Sequence, residues 1–261
     1  MKKNLLSIAG VDPTAGAGIF LDLKVFQNLG FHGIGLVTSV TSQNTQCVKQ
    51  IHCLPPEFLW SQYQTLHEDV EISGIKIGML GCQANIQPIE RILAANSGIP
   101  VVVDPVFKSS SGMWLLERKV IPEFMEKVSK YAFILTPNLE ESALILGKRV
   151  ENLKQMKEAA EKIYTTYHIP CLLTGGHIKE NPTDLLYNGK DFLCFKNEKV
   201  DKKVHGTGCF LSSALLCFLV KGLSIEKAAL AANQLTNKAI INASPTGHGQ
   251  QIITFPLEHQ N

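Results

Sequence analysis

The residues whose types and order could do chemistry are His205-Gly206-Thr207-Gly208-Cys209, followed at once by the mainly apolar run 210–220. Glycines ahead of a helix let backbone N–H groups crowd around a guest. The first helical turn leaves those groups unpaired, and its dipole favours negative charge. The stretch reads as an anion site, most simply for phosphate. Cys209 falls at the same positive end, where a thiol pKa is expected to drop. A plain Gly-rich helix entry beside a buried cysteine is the alternative.

Two further sets of residues carry chemistry. Asn138 and Glu141 sit three apart at a helix start, so both side chains project from one face. An amide and a carboxylate beside a phosphate suit hydrated magnesium, which keeps several waters. The same pair also fits a capping box, and next to a phosphate site the metal reading is preferred. Asp22 lies inside an apolar helical stripe with Ile19, Leu23, Phe26 and Leu29. A carboxylate on an inward face needs partners, either structural ones or a ligand.

These residues need elements that bring them together. Strand-like runs occur at 5–9, 33–40, 48–54, 72–77, 100–106, 133–136 and 171–174. Residues 184–195 read as a hairpin turning at Asn188-Gly189. Helical patterns at 18–29, 56–66, 85–95, 138 onward, 153–167, 207–220 and 224–243 alternate with the strands. The β-branched run 101–103 marks a strand buried on both faces. Alternation of this kind predicts a three-layer α/β/α sandwich with a mostly parallel central sheet. With no linker or repeat, residues 1–261 read as a single domain. Ligands in such sheets bind beyond the carboxyl ends of the strands. The polar or Gly-rich turns at Gly10, Gln43, Gly78, Asp104, Asn138 and Gly175 all follow strands, so they should collect on one edge.

Bulk properties exclude several classes. Lysine and arginine number 25 against 23 acidic residues, so no basic field points to nucleic acid. The 7 cysteines form no C-x-x-C pair and suggest neither structural zinc nor a disulfide framework. The N-terminal residues lack the apolar core of a secretory signal. The run 210–220 is shorter than the roughly 20 residues that span a bilayer. A cytoplasmic protein with reduced thiols and no membrane partner is expected. P-loop, dinucleotide, zinc-protease and nucleophile-elbow motifs are absent.

A family resemblance rests on eight motifs in register. They are Ile8-Ala9-Gly10-Val11-Asp12-Pro13 with Gly16-Ala17-Gly18; Asp22-Leu23-Lys24; Thr41-Ser42-Gln43-Asn44-Thr45; and Lys76-Ile77-Gly78-Met79-Leu80. The chain continues with Asp104-Pro105-Val106; Thr136-Pro137-Asn138-Leu139-Glu140-Glu141; Gly175-Gly176-His177; and the His205–Cys209 stretch. Together they resemble the hydroxymethylpyrimidine/phosphomethylpyrimidine kinases of thiamine biosynthesis, within the ribokinase-like superfamily.

The resemblance implies a ribokinase-like fold and two ATP-dependent steps, alcohol to monophosphate and monophosphate to diphosphate. It places the ATP phosphates at Gly206, Thr207, Gly208 and Cys209, with Thr174 and Gly176 alongside. Magnesium falls near Asn138 and Glu141, largely through water. The pyrimidine falls near Asp22, Gln43, Met79 and Val106, with Gln43 pairing to the amino group and ring nitrogen. Catalysis falls to Gly206, Gly208 and Cys209. Cys209 takes the place of the aspartate base of related sugar kinases. A homodimer is expected. Thr174 stands where many relatives carry lysine, and Ala15 where many carry glycine. The alternatives are a pyridoxal or pyridoxine kinase and a non-catalytic vitamer-binding protein.

Overall fold

Alternation of side chains along the strands decides the layers. The computed structural model describes residues 2–176 and 182–256; His177 of the Gly175 turn lies outside them. In β1 (Asn4–Val11), Leu6 and Ile8 face one layer and Leu5 the other. In β4 (Gly74–Ile77), β5 (Val101–Val103) and β6 (Ile134–Leu135), Ile75, Ile77, Val101, Val103 and Leu135 share the first side. Val102 and Ile134 face the second. Strands covered on both faces bury apolar side chains at successive positions, which is why the run 101–103 signals its place. The remaining strands of the main sheet are β2 (His32–Gln43), β3 (Val48–Cys53), β7 (Cys171–Leu173), β8 (Thr183–Tyr187) and β9 (Phe192–Lys196). Their order is β3-β2-β1-β4-β5-β6-β7-β8-β9. Strands β2, β1, β4, β5, β6 and β7 are parallel. β3 pairs antiparallel with β2, and β8 antiparallel with β7 and β9.

Helices α2 (Pro56–His67), α3 (Ile86–Ala95), α4 (Ile121–Lys127), α5 (Leu139–Leu146) and α6 (Leu153–Tyr167) cover the first side, through residues such as Leu59, Ile89, Phe124 and Met156. Helices α1 (Gly18–Asn28), α7 (Thr207–Val220) and α8 (Ile225–Ile241) cover the second, through Phe26, Phe210, Leu215 and Ala229. The result is the α/β/α sandwich that the alternating pattern predicts. Helix α7 is apolar on nearly every side and is buried accordingly.

Three differences from the sequence reading bear on the site. β2 runs on through Thr41, Ser42 and Gln43, because β3 folds back and pairs with those residues. Helix α4 fills the crossover between β5 and β6, where the apolar pattern is too short to signal a helix. His205 belongs to a short strand, β10 (Val204–His205), paired in parallel with β11 (Gln251–Ile252) near the end of the chain. Only pairing with a segment some 45 positions later makes residues 204–205 extended, and a local pattern does not carry that information.

Helix α6 ends on His168 in a left-handed conformation, φ +57. A β-carbon there costs about 1–2 kcal/mol, part of which glycine returns through its freer unfolded chain. His168→Gly is expected to raise stability by on the order of 1 kcal/mol, read from the guanidinium midpoint. A lower midpoint would show that the edge contact of His168 with Tyr164 outweighs the strain.

Candidate active site

The N-terminus of α7 is open in a way that α5, α6 and α8 are not. Those helices accept a side-chain cap from Asn138, Asn152 and Ser224. Gly206, at the N-cap of α7, offers none. The first intrahelical bond is Phe210 N to Gly206 O at 2.9 Å, so the amides of Thr207, Gly208 and Cys209 have no partner within the helix. Gly206 is required twice over. Its φ is +85, and a β-carbon would lie 1.8 Å from the Gly16 carbonyl oxygen. Above Gly208 the space is open, with the Asp104 carboxylate 3.9 Å from where a β-carbon would be.

Beneath this turn lies a buried charge cluster. Lys76 sits in β4 between Ile75 and Ile77 and faces α1 and α7. It is fully buried, 2.7 Å from Asp22 and 3.9 Å from Asp104. Asp22 also accepts hydrogen bonds from Ser7 Oγ (2.6 Å) and Ser213 Oγ (2.8 Å). Ser212 Oγ donates to Asp104 at 3.2 Å. Two adjacent serines of α7 thus grip two carboxylates. Burial opposes the Lys76 charge, but Asp22, Cys209 and Asp104 outweigh it and raise its pKa. Asp104 is pushed up by burial and by Asp22, against the pull of Lys76. Asp22 therefore corrects the substrate-contact expectation. Its oxygens are spent on Ser7, Ser213 and Lys76, and no part of it reaches the surface of the site.

Cys209 brings a second correction. Burial pushes its thiol up to about 12; Lys76 and the Gly18 amide pull down, and Asp104 and Asp22 push up. The acidified thiol expected at a helix N-terminus is not what the surroundings produce. Two carboxylates behind the sulfur and removal from water disfavour the thiolate.

Gln43 ends β2, with its amide beside Thr41 and His205. Oε1 lies 3.3 Å from Thr41 Oγ1, and Nε2 lies 3.2 Å from His205 Nε2. His205 is in turn 2.9 Å from Asp12 Oδ2. Burial works against the Asp12 charge, but hydrogen bonds from His205 and Thr14 hold its carboxyl below the usual value. Ala15, in the same loop, takes φ +54, a left-handed conformation that glycine adopts more readily. A cavity of about 310 Å³ opens beside Gln43, lined also by Pro13, Ser42, Asn44, Cys47 and Lys49. Met79, half-buried, is fixed through its carbonyl by Thr38 Oγ1 at 2.8 Å. It lies across Gly10, where its sulfur would be 3.0 Å from a β-carbon. Val106 is half-buried just past Asp104, its N–H 2.9 Å from the Asp104 carbonyl.

At the ends of β6 and β7, Asn138 and Thr174 form a bridge, with Thr174 N 3.0 Å from Pro137 O. Asn138 and Glu141 make a reciprocal capping box, at 2.9 and 2.8 Å. The capping alternative is thus real, and it uses one oxygen of each side chain. Burial, then the Asp104 charge, pushes the Glu141 carboxyl well above its usual range. Thr136 Oγ1 is buried without a hydrogen-bond partner. Facing carboxylates and an orphaned hydroxyl are hard oxygen donors with surplus negative charge, and they fit a hydrated magnesium ion. Among the described residues no three or more His, Cys, Asp or Glu side chains converge as a direct ligand set. Gly175 N donates to Asp184 at 3.0 Å, and Asp184 accepts from Asn233 at 2.7 Å. That anchors the turn leading to Gly176, which is exposed.

Sequence reasoning missed Lys76, Ser212, Ser213 and Asp184 and left Asp12, Asp104 and His205 without roles. One signal was available for Lys76: an ionisable side chain flanked by isoleucines in a strand buried on both faces needs a partner. Ser212 and Ser213 carry no signal inside an apolar helix.

Two outcomes follow from the buried cluster. Lys76→Met leaves Asp22 buried without its cation and is expected to cost about 3–5 kcal/mol. Adding Asp22→Asn should recover part of that, and urea denaturation of both variants reads the difference. A raised thiol pKa keeps Cys209 neutral at pH 8 and reactive only as the pH approaches the value near 12. Iodoacetamide with peptide mapping should therefore leave Cys209 unlabelled at pH 8 in the ligand-free protein; rapid labelling at pH 7 would contradict this.

Comparison with known proteins agrees with this geometry. Residues 12–254 match the family model described as phosphomethylpyrimidine kinase. A hydroxymethylpyrimidine/phosphomethylpyrimidine kinase of Aquifex aeolicus is 34% identical over 252 residues, covering 96% of this chain and 99% of its own. The crystal structure of a phosphomethylpyrimidine kinase from Clostridium difficile superposes with a TM-score of 0.81 at 32% identity, covering 92% of this chain and 100% of that one. A pyridoxal kinase of Staphylococcus aureus, solved with pyridoxal, superposes at 0.89 with 26% identity, covering 97% and 93%. With an open helix terminus, hard oxygen donors and a primary amide on one sheet edge, and with this similarity over nearly its whole length, the chain belongs to the phosphomethylpyrimidine kinase family of ribokinase-like enzymes.

Proposed function

We propose that this chain transfers the γ-phosphoryl group of ATP to 4-amino-5-hydroxymethyl-2-methylpyrimidine and then to the resulting monophosphate. The observation that carries this reading is the uncapped N-terminus of α7 beside Asp104 and Glu141. Phosphoryl transfer asks a protein mainly to position groups and to stabilise charge. The amides of Thr207, Gly208 and Cys209 are free to receive the developing negative charge. Thr174 and Gly176 flank the nucleotide phosphates from β7, and Asp184 holds their turn. Asn138, Glu141 and Thr136 would hold magnesium through water, and the ion would neutralise phosphate charge. In the free protein the Cys209 thiol keeps its proton and is hydrogen-bonded to Asp104. As Cys209 accepts the proton of the alcohol, Asp104 is the adjacent group that can take the thiol's own.

Gln43 supports an aminopyrimidine. A primary amide supplies an acceptor for the exocyclic amine and a donor for the ring nitrogen. His205 and Thr41 lie beside it, and Met79 and Val106 offer apolar contact to a flat ring. The fit to pyridoxal kinases favours pyridoxal as a second substrate, since it too is a flat ring with a hydroxymethyl group. We further propose a cytoplasmic homodimer acting on small molecules alone, without nucleic acid or membrane. Phe20, Val40 and Phe58, on α1, β2 and α2, are among the exposed apolar side chains that such an interface could use. Sedimentation velocity tests the dimer.

ATP consumption should be measured in parallel with hydroxymethylpyrimidine, its monophosphate and pyridoxal. The reading expects the first two to be consumed with higher kcat/KM than pyridoxal; turnover of none would overturn it. Cys209→Ala and Gly208→Asp should each lower kcat at least ~100-fold, the scale of losing a positioned catalytic group. The aspartate would also add a second carboxylate beside Asp104. Gln43→Ala should raise the KM for the pyrimidine and leave that for ATP unchanged.

A further inference from the structure

Cys53 and Cys82 stand apart from the machinery above, yet their sulfurs meet. Cys53 is the last residue of β3, opposite Ser39 of β2. Cys82 occupies the N-cap position of the single turn Gln83–Asn85 that leads into α3. Between them lies Gly81, with φ +81, where a β-carbon would be 2.9 Å from Cys53 Sγ and 2.8 Å from Ser39 Oγ. Its bare backbone lets the Cys53 sulfur lie against the residue next to Cys82. The two thiols hydrogen-bond to each other, and the amides of Asn85 and Ala84 point at the Cys82 sulfur. Both residues are half-buried, so a small solute can reach them.

The two sulfurs are not equivalent. The hydrogen bond from Cys53, aided by the two amides and opposed by burial, lowers Cys82 to about 6. The same hydrogen bond, together with burial, raises Cys53. Such an arrangement pairs an attacking thiolate with a neighbouring thiol that can resolve it. Cys171 and Cys217, by contrast, are buried in the two cores and raised by burial alone or chiefly by burial.

We propose that Cys53 and Cys82 form a dithiol that a hydroperoxide converts to a disulfide, with Cys82 as the attacking and Cys53 as the resolving sulfur. The Cys82 thiolate attacks one oxygen of hydrogen peroxide and breaks the O–O bond. Cys82 becomes a sulfenic acid, and the departing hydroxide takes a proton to become water. Cys53 then gives up its proton and attacks the Cys82 sulfur, and the sulfenic oxygen leaves as a second water. Two thiols are oxidised to one disulfide, and one peroxide is reduced to two waters. A dithiol reductant reverses the change by exchange.

The bond would tie the end of β3 to the turn 79–82. That turn hangs from β2, with Thr38 Oγ1 on the Met79 carbonyl and Ser39 against both Gly10 and Gly81. Oxidation therefore acts on Met79; this consequence, unlike the disulfide itself, rests on the proposed pyrimidine site.

The test uses the full chain treated with a small excess of hydrogen peroxide at pH 7, alkylated and digested without reductant. The expected product is a cross-linked peptide joining Cys53 to Cys82, lost on treatment with dithiothreitol. In Cys53→Ser, Cys82 should stop at the sulfenic acid and be captured by dimedone. In the untreated protein at pH 7, Cys82 should alkylate at least ~10-fold faster than the exposed Cys194. Absence of the cross-link, or a Cys82 no faster than Cys194, would overturn the proposal whether or not the chain is a pyrimidine kinase. Oxidised protein should show at least an ~3-fold change in KM for the pyrimidine that Cys82→Ser does not show; a disulfide with unchanged KM would overturn the link to Met79.

Discussion

The ion pair of Lys76 with Asp22, with Asp104 beyond it, is the constraint on which the rest of the site depends. A lysine inside a sheet covered on both faces cannot keep its charge without a carboxylate at contact distance. Here the carboxylate comes from α1, and Ser213 of α7 hydrogen-bonds to the same group. One buried cation therefore fixes the positions of β4, α1 and α7 relative to one another. The open turn of α7 sits on top of that junction, so its unpaired amides inherit the rigidity of the ion pair.

The charge balance of this cluster also shapes the chemistry. Asp22, Asp104 and Glu141 outnumber the single lysine, and burial makes the excess costly. Burial accordingly raises the pKa of Asp104, Glu141 and the Cys209 thiol. A divalent ion held there would favour the charged forms of the carboxylates.

The outer rim is organised differently. Gln43, His205 and Asp12 form a polar chain at the surface, where water and a small ring can reach. Gln43 ends β2, His205 ends the two-residue β10, and Asp12 opens the loop after β1. They converge there because β3 pairs with the end of β2 and β11 with β10.

What could be read in the chain by itself was whatever depends on local pattern. The β-branched runs, the helical stripes and the glycines after strands determined an α/β/α sandwich with its polar turns on one edge. The eight motifs in register identified the family. Tertiary structure decided the electrostatics. Asp22 looked free to meet a substrate until Ser7, Ser213 and Lys76, from three other elements, closed on it. Cys209 looked acidified by its helix until burial between two carboxylates proved the larger effect. Asn138 and Glu141 fitted both a cap and a metal, and the fold shows the cap in place with Asp104 charge facing it. Backbone conformation follows mostly from neighbours along the chain. The charge state of a buried group follows from neighbours across it, and those exist only once the sheet has closed.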